Sequence, residues 1–239
     1  MVDLSKYNKH DLGKLFDFSV LPKNSNIDDI KNGCREAVKY NCAAFYPATN
    51  FWLPVVTEEL AGSDVLPAST ISFPFGGMTA KMKGVETEES IKMGAKAIDL
   101  VMNIGALRSK MYKVVEEELK VFINAAQGAL TKCILEVCFL TDEEIVTACK
   151  LLADAGFDYA KTSSGQFEGP TMEQFLIMKN TIAGTGMKLK VAGVKFPRPQ
   201  NAYAFIMAGA DLIGTRAAPQ IIDAIDQMRE IGIVPKFVG

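Results

Sequence analysis

At 239 residues, 49% hydrophobic and 23% charged, the chain has the makeup of a folded globular protein with a substantial core. A net charge of -2 leaves no basic field for nucleic acid or an anionic membrane, and no apolar run is long enough to span a bilayer. The five cysteines form no Cys-x-x-Cys pair and the one histidine is His10, which excludes most histidine-based zinc sites and argues against a Ser-His-Asp triad. Met1–Lys6 leads into polar sequence rather than an apolar stretch, so no signal peptide is expected. Cysteines in apolar surroundings read as reduced, packed thiols and point to the cytoplasm.

Short apolar runs lie near residues 14–20, 43–47, 66–73, 97–103, 132–138, 157–161, 188–193 and 211–214. Helical patterns fall between them, as at Asn26–Asp29, Glu86–Gly94, Lys113–Ala126, Asp142–Ala155, Met172–Ile182 and Gln200–Ala208. Thr141 followed by Glu144 is a capping box, and Asn26 stands where a helix start needs an acceptor. Gly94, Gly156 and Gly209 each follow a helical pattern, at the place where a left-handed residue ends a helix. Roughly eight strand–helix units in about 250 residues predict a TIM (β/α)8 barrel, an α/β fold in one domain. Residues 1–239 are taken as that domain, with 1–13 a short N-terminal extension. A doubly wound open sheet is the competing architecture, but the dinucleotide fingerprint and the P-loop pattern are missing.

Successive side chains on a strand point to opposite faces. In Ala97–Asn103 one parity holds Ile98, Leu100 and Met102, and the other holds Asp99 and Asn103. In Lys132–Val137 the apolar parity is Cys133, Leu135 and Val137, against Lys132 and Glu136; in Lys188–Val191 leucine and valine alternate with two lysines. Strands of a parallel sheet are covered on both sides, so the charged parity is expected inside the barrel, where charges must pair or serve chemistry. Lys161 ends the run Asp158–Lys161, just before the hydroxyl- and glycine-rich turn Thr162–Gly165. Lys161, Lys190, Asp99 and Lys132 then converge. Adjacent lysine charges lower one pKa and yield a neutral amine, and a carboxylate such as Asp99 can move protons beside it. This is the equipment of Schiff-base catalysis. The competing reading is an ion-pair network that only stabilises the barrel.

From about Leu15 to about Ala218 the chain resembles the deoxyribose-phosphate aldolases, the class I aldolases of the DeoC family. The resemblance is carried by Phe16–Leu21, Ile71–Gly76, Ile98–Leu107, Lys132–Glu143 and Lys161–Gly165 in order. It implies a carbon–carbon lyase in which Lys161 forms an imine with an aldehyde donor, Lys190 tunes that amine and Asp99 moves protons. Asp17, Ser19 and Lys132 are implied as support for the site and the substrate hydroxyl. Thr162, Gly165, Gly193, Gly214 and Arg216 fall at positions implied to meet the substrate. No metal or organic cofactor is implied. The partners implied are a small aldehyde or sugar phosphate, with no nucleic acid or membrane, and a homodimer.

Departures cluster where that family holds phosphate. Val194 follows Gly193 in place of a second glycine, and Gly214-Thr215-Arg216-Ala217 lacks the two serines of the family turn. Gln166 stands where many members carry lysine or another phosphate-compatible residue. Two readings stay open: Arg216, Lys195 or Arg198 holds a phosphate by charge-assisted contacts, or the pocket takes a carboxylate, a hydroxyl or an unphosphorylated sugar. A non-catalytic binding barrel is the third. Phe45 and Tyr46 are candidates for shaping the aldehyde channel or for packing. Phe51 and Trp52 read as helix–barrel interface, and Met78, Met82, Phe122 and Phe175 as core.

Overall fold

Helix boundaries follow local capping chemistry in this computed structural model, which describes residues 2–238. The helices Ile27–Lys39, Asp142–Ala155 and Met172–Ile182 all begin with a reciprocal capping box, set by Asn26, Thr141 and Thr171. Gly156 and Gly209 end helices in the left-handed conformation at φ 81° and 110°, and Gly94, at φ 100°, follows the cap residue Met93. The pattern at Glu86–Gly94 is the second half of a longer helix, Ala80–Lys92. Its true start is Thr79, whose side chain accepts from the Met82 N–H. The last large helix begins at Arg198, two residues before its apolar periodicity becomes visible.

Among the described residues, eight parallel strands close into a barrel in sequence order. They are β1 Phe16–Ser19, β2 Ala44–Tyr46, β3 Leu66–Ile71, β4 Ala97–Val101, β5 Leu130–Ile134, β6 Tyr159–Lys161, β7 Lys188–Ala192 and β8 Leu212–Thr215. This is a single-domain TIM barrel, and the open-sheet alternative is excluded by the pairing of β1 with β8. The outward parity (Phe16, Ile98, Leu100, Cys133, Ala160, Leu189, Val191, Ile213) joins the helices in one large apolar core. Inside, Ala44, Ala68 and Ala97 pack with Leu66 and Leu130 into a small apolar floor below Tyr46. Branched apolar side chains usually fill the layers of such a barrel. Here small residues leave room for long charged ones above them.

The inward parity holds at Asp17, Asp99, Lys132, Lys161 and Lys190, all 5% exposed or less. It fails at three places. Asn103 lies beyond β4, where its side chain accepts from the Ala106 N–H and caps the next short helix. Glu136 lies beyond the end of β5 with φ 50°, where its Oε1 accepts from the Ser164 N–H at 2.9 Å. Lys188, at the first position of β7, is exposed. Cys138, at the end of the apolar run 132–138, likewise lies past β5, in a short 3-10 helix. Phe122 and Phe175 are core, but Phe51, Met78 and Met82 are 77%, 44% and 50% exposed, because apolar content alone does not say which face is covered. Residues 231–238 run under the barrel, where the Val238 N–H donates to the Ser5 carbonyl at 2.9 Å.

A buried clamp outside the barrel fixes the end of β4. Lys83 Nζ lies 2.7 Å from Glu118 Oε2 and donates to the Val101 carbonyl at 2.8 Å, while Glu118 Oε1 accepts from the Asn103 N–H at 3.0 Å. Burial pushes the Glu118 carboxyl up, with the Lys83 charge opposing. Breaking one side of such a pair costs about 3–5 kcal/mol, because the other charge stays buried. Lys83→Met is therefore expected to lower urea-unfolding stability by about 3 kcal/mol. Adding Glu118→Gln, which keeps an acceptor for Asn103, should recover much of the loss; a double variant no more stable than the single one would discount the charge argument.

Candidate active site

Strand register converts scattered charges into a cluster. Cα pairing sets Asp99 beside Lys132 and Lys161 beside Lys190, and β1 brings Asp17 in from the other side of the closure. Lys161 Nζ donates to Asp99 Oδ2 at 2.8 Å, and Lys190 Nζ donates to the same oxygen at 2.7 Å. Lys190 also lies 2.7 Å from Asp17 Oδ2, an ion contact off the hydrogen-bonding direction. Lys132 is 3.6 Å from Asp17 Oδ2 and 3.7 Å from Asp99 Oδ1. Gly214 leaves space for this packing: a Cβ there would meet Lys190 Cε at 2.9 Å.

The environment splits the amines. Burial lowers the Lys161 pKa to about 8, with Asp99 opposing and the Lys190 charge adding to the fall. Desolvation thus outranks the neighbouring lysine charge, the cause that the strand pattern suggests. Burial works against the Lys190 charge too, but Asp17 and Asp99 outweigh it and raise that pKa. Burial pushes the Asp99 carboxyl up, yet Lys161, Lys190 and Lys132 hold it well below the carboxylate range.

Above the cluster a cavity of about 290 Å³ opens among the loops at the C-terminal ends of the strands. Lys161, Lys190, Asp17 and Ser19 reach its floor, with Tyr46 and Thr70 beside them. Gly165, Gly193, Gly214 and Arg216 also line it, together with Leu21, Phe73 and Phe167. Asp99 and Lys132 stand behind its wall, fully buried. Thr162 does not line it: its hydroxyl donates to the Ala192 carbonyl and accepts from the Ala192 N–H, joining β6 to β7. Gly193, at φ 74°, is required by a neighbouring loop, since a Cβ there would meet Gly169 Cα at 2.9 Å. Tyr46, a candidate for shaping the channel, does line the cavity, whereas Thr70, Phe167 and Gly169 line it without being marked by any motif. Phe45 points outward, against Gly33 of the first long helix.

At the rim, Lys195 is paired with Glu168 at 2.7 Å, whereas among the described residues Arg198 and Arg216 have no carboxylate partner. The Arg198 guanidinium stacks on Phe196 at 4.2 Å. Thr215 Oγ1 accepts from the Ala217 N–H at 3.0 Å, so that donor is already used within the turn. Among the described residues no group of three or more His, Cys, Asp or Glu side chains is placed to hold a metal ion, and no helix is long and apolar enough to cross a membrane.

Residues 8–198 match the family model described as DeoC/LacD family aldolase. A deoxyribose-phosphate aldolase of Streptococcus sanguinis is 40% identical over 212 residues, covering 88% of this chain and 95% of the relative. One from Clostridium novyi is 38% identical over 214 residues, covering 89% and 95%. The solved deoxyribose phosphate aldolase of Aeropyrum pernix, described as a unique tetrameric structure, superposes with a TM-score of 0.84 at 25% identity, covering 94% of this chain and 95% of its own.

The Lys161 value has a consequence for stability. Its folded pKa lies below the unfolded value, so between pH 8 and 10.5 the unfolded chain binds more protons and folding gains as pH rises. Wild type minus Lys161→Met should therefore show unfolding free energy increasing across that window. A flat difference would place the amine in a better-solvated state than the geometry indicates.

Proposed function

The chain belongs to the DeoC/LacD family of aldolases, and from that membership we propose that it makes and breaks its carbon–carbon bond through an imine on Lys161. The observation that carries the proposal is the Lys161 amine itself, at the floor of the cavity, with a pKa of about 8 and Asp99 Oδ2 at 2.8 Å. In the direction of cleavage, the neutral amine adds to the substrate carbonyl carbon and the oxygen takes a proton, giving a carbinolamine. Loss of water leaves an iminium. The bond between the α and β carbons then breaks, its electron pair moving into the iminium to form an enamine, while the β-hydroxyl gives up its proton. Asp99 and Lys190 carry these protons, directly or through water. Protonation of the enamine carbon and hydrolysis release acetaldehyde and restore the lysine.

Asp17 and Ser19 hold the substrate hydroxyls. Asp17 Oδ1 is buried without a hydrogen-bond partner at the cavity wall, an acceptor suited to one of them. The substrate is 2-deoxyribose 5-phosphate, cleaved reversibly to acetaldehyde and glyceraldehyde 3-phosphate, and Arg216 with Arg198 receives the anionic end at the rim. Thr215 favours a second reading, because it occupies an N–H of the turn where the family holds phosphate: the same chemistry on a carboxylate-bearing or unphosphorylated hydroxyaldehyde. The same proposal places the enzyme in the cytoplasm, in keeping with its five unpaired thiols, and as a homodimer.

Borohydride with acetaldehyde is expected to leave a reduced adduct on Lys161, read by peptide mass spectrometry and absent in Lys161→Ala. The rate of adduct formation should rise with pH and level off above about pH 8, as the amine loses its proton. An unmodified Lys161 in wild type sinks the imine. Retro-aldol rates on phosphorylated and plain deoxyribose separate the two substrate readings. Arg216→Ala should raise KM for the phosphorylated sugar roughly tenfold, the loss of one charge-assisted hydrogen bond; an unchanged KM takes Arg216 out of the pocket.

A further inference from the structure

Tyr46 ends β2 at the centre of the charged cluster, 3% exposed. Its hydroxyl donates to Asp99 Oδ1 at 2.6 Å and accepts from Lys132 Nζ at 3.0 Å. The face of its ring lies 4.2 Å from Lys190 Nζ, with Lys132 and Lys161 at 5.6 and 5.7 Å. A phenol has a single proton to donate, and this one is spent on Asp99. Burial first, then the negative charges of Asp17 and Asp99, keep its pKa well above the ordinary tyrosine value, so the donor persists wherever the lysine chemistry operates.

Asp99 has two oxygens with different duties. Oδ2 takes both Lys161 and Lys190, while Oδ1 faces Lys132, whose amine stops at 3.7 Å. The Tyr46 hydroxyl bridges that gap, closer to each partner than they are to one another. A neutral donor thereby holds Oδ1 in place of a third ammonium, and the plane of the carboxylate is fixed with Oδ2 toward Lys161. We propose that Tyr46 is a positioning residue of the aldolase reaction: its hydroxyl, set between Lys132 and Asp99, aims the carboxylate at the Lys161 amine and keeps Lys132 from saturating it. The proposal rests on the imine reading above.

Tyr46→Phe keeps the ring, its volume and its contact with Lys190, and removes only the bridge. Lys132 is then free to close on Oδ1, and Asp99 becomes a poorer carrier for the proton that leaves the methyl carbon of the iminium. That proton departs as its C–H electron pair forms the enamine double bond and the C=N pair returns to nitrogen. Acetaldehyde in D2O reads the step as deuterium entering its methyl group, and borohydride reads the imine that precedes it. In Tyr46→Phe, methyl exchange per trapped imine is expected to fall roughly tenfold or more, less than the loss of about 10²–10⁴-fold for a positioned acid–base group, because Asp99 itself stays in place. In the retro-aldol direction kcat should fall with KM within about twofold, since a base-positioning group acts after binding. Because the exchange-to-trapping ratio counts only imine-forming molecules, a partly unfolded variant leaves it unmoved. An unchanged ratio, with both signals retained or both falling together, overturns the proposal and reduces Tyr46 to packing. Failure of wild type to trap any imine at Lys161 overturns the underlying reading instead, and is seen before the variant is compared.

Discussion

Everything at the centre of this molecule follows from putting three amines and two carboxylates inside one barrel. Asp17 and Asp99 neutralise two of Lys132, Lys161 and Lys190, so with all five groups ionised the buried cluster carries one unit of uncompensated positive charge. A buried ion loses several kcal/mol of solvation, and a partner about 4 Å away at an effective dielectric near 20 returns only about 4 kcal/mol. Above about pH 8 the cluster relieves the excess by releasing a proton. Lys161 is the one that yields: it has one carboxylate contact, whereas Lys190 has close contacts to two. Its pKa near 8 therefore follows from placement as well as from the presence of another lysine.

The same constraint shapes the barrel around the cluster. Long charged side chains need volume, and it comes from Gly214 against Lys190 and from the alanines of the floor. They also need a rigid frame, because the separation of a good ion pair from a poor one is under an ångström. The Lys83–Glu118 clamp holds the backbone of β4 on either side of Met102, just past the position from which Asp99 projects. Charges outside the barrel thus fix the strand that positions the charge inside it.

How much of this is visible in the sequence depends on whether local or distant residues decide it. Strand parity is local, so Asp99, Lys132 and Lys190 are placed inside correctly. It misleads at Glu136, where the strand has already ended, and at Lys188, whose end of the strand reaches solvent. Helix starts are legible when a box marks them, as at Thr141, and illegible when the apolar pattern begins late, as in Ala80–Lys92. Gly193 shows the harder case. Its motif suggests an approach to a ligand, but the atom that forbids a side chain belongs to Gly169, on a different loop. Tyr46 reads only as a candidate for shaping the channel or for packing, because its polar partners lie 53 and 86 residues further on. Only closure of the barrel joins them.

The charged cluster and the cavity mouth are also built on different parts of the fold. The five charged residues of the cluster sit on strands, where backbone pairing fixes their positions. Phe73, Phe167, Arg198 and Arg216 sit at the rim, on loops and a helix start that can change without altering the strand ladder. This explains why the departures from the family pattern gather at Val194, Thr215, Arg216 and Ala217 while Asp99, Lys161 and Lys190 stay together. A change at the rim alters one side chain of the cavity mouth and leaves the strand ladder intact. A change in the cluster shifts the charge balance of all five groups at once, because they lie within contact of one another and are almost wholly buried.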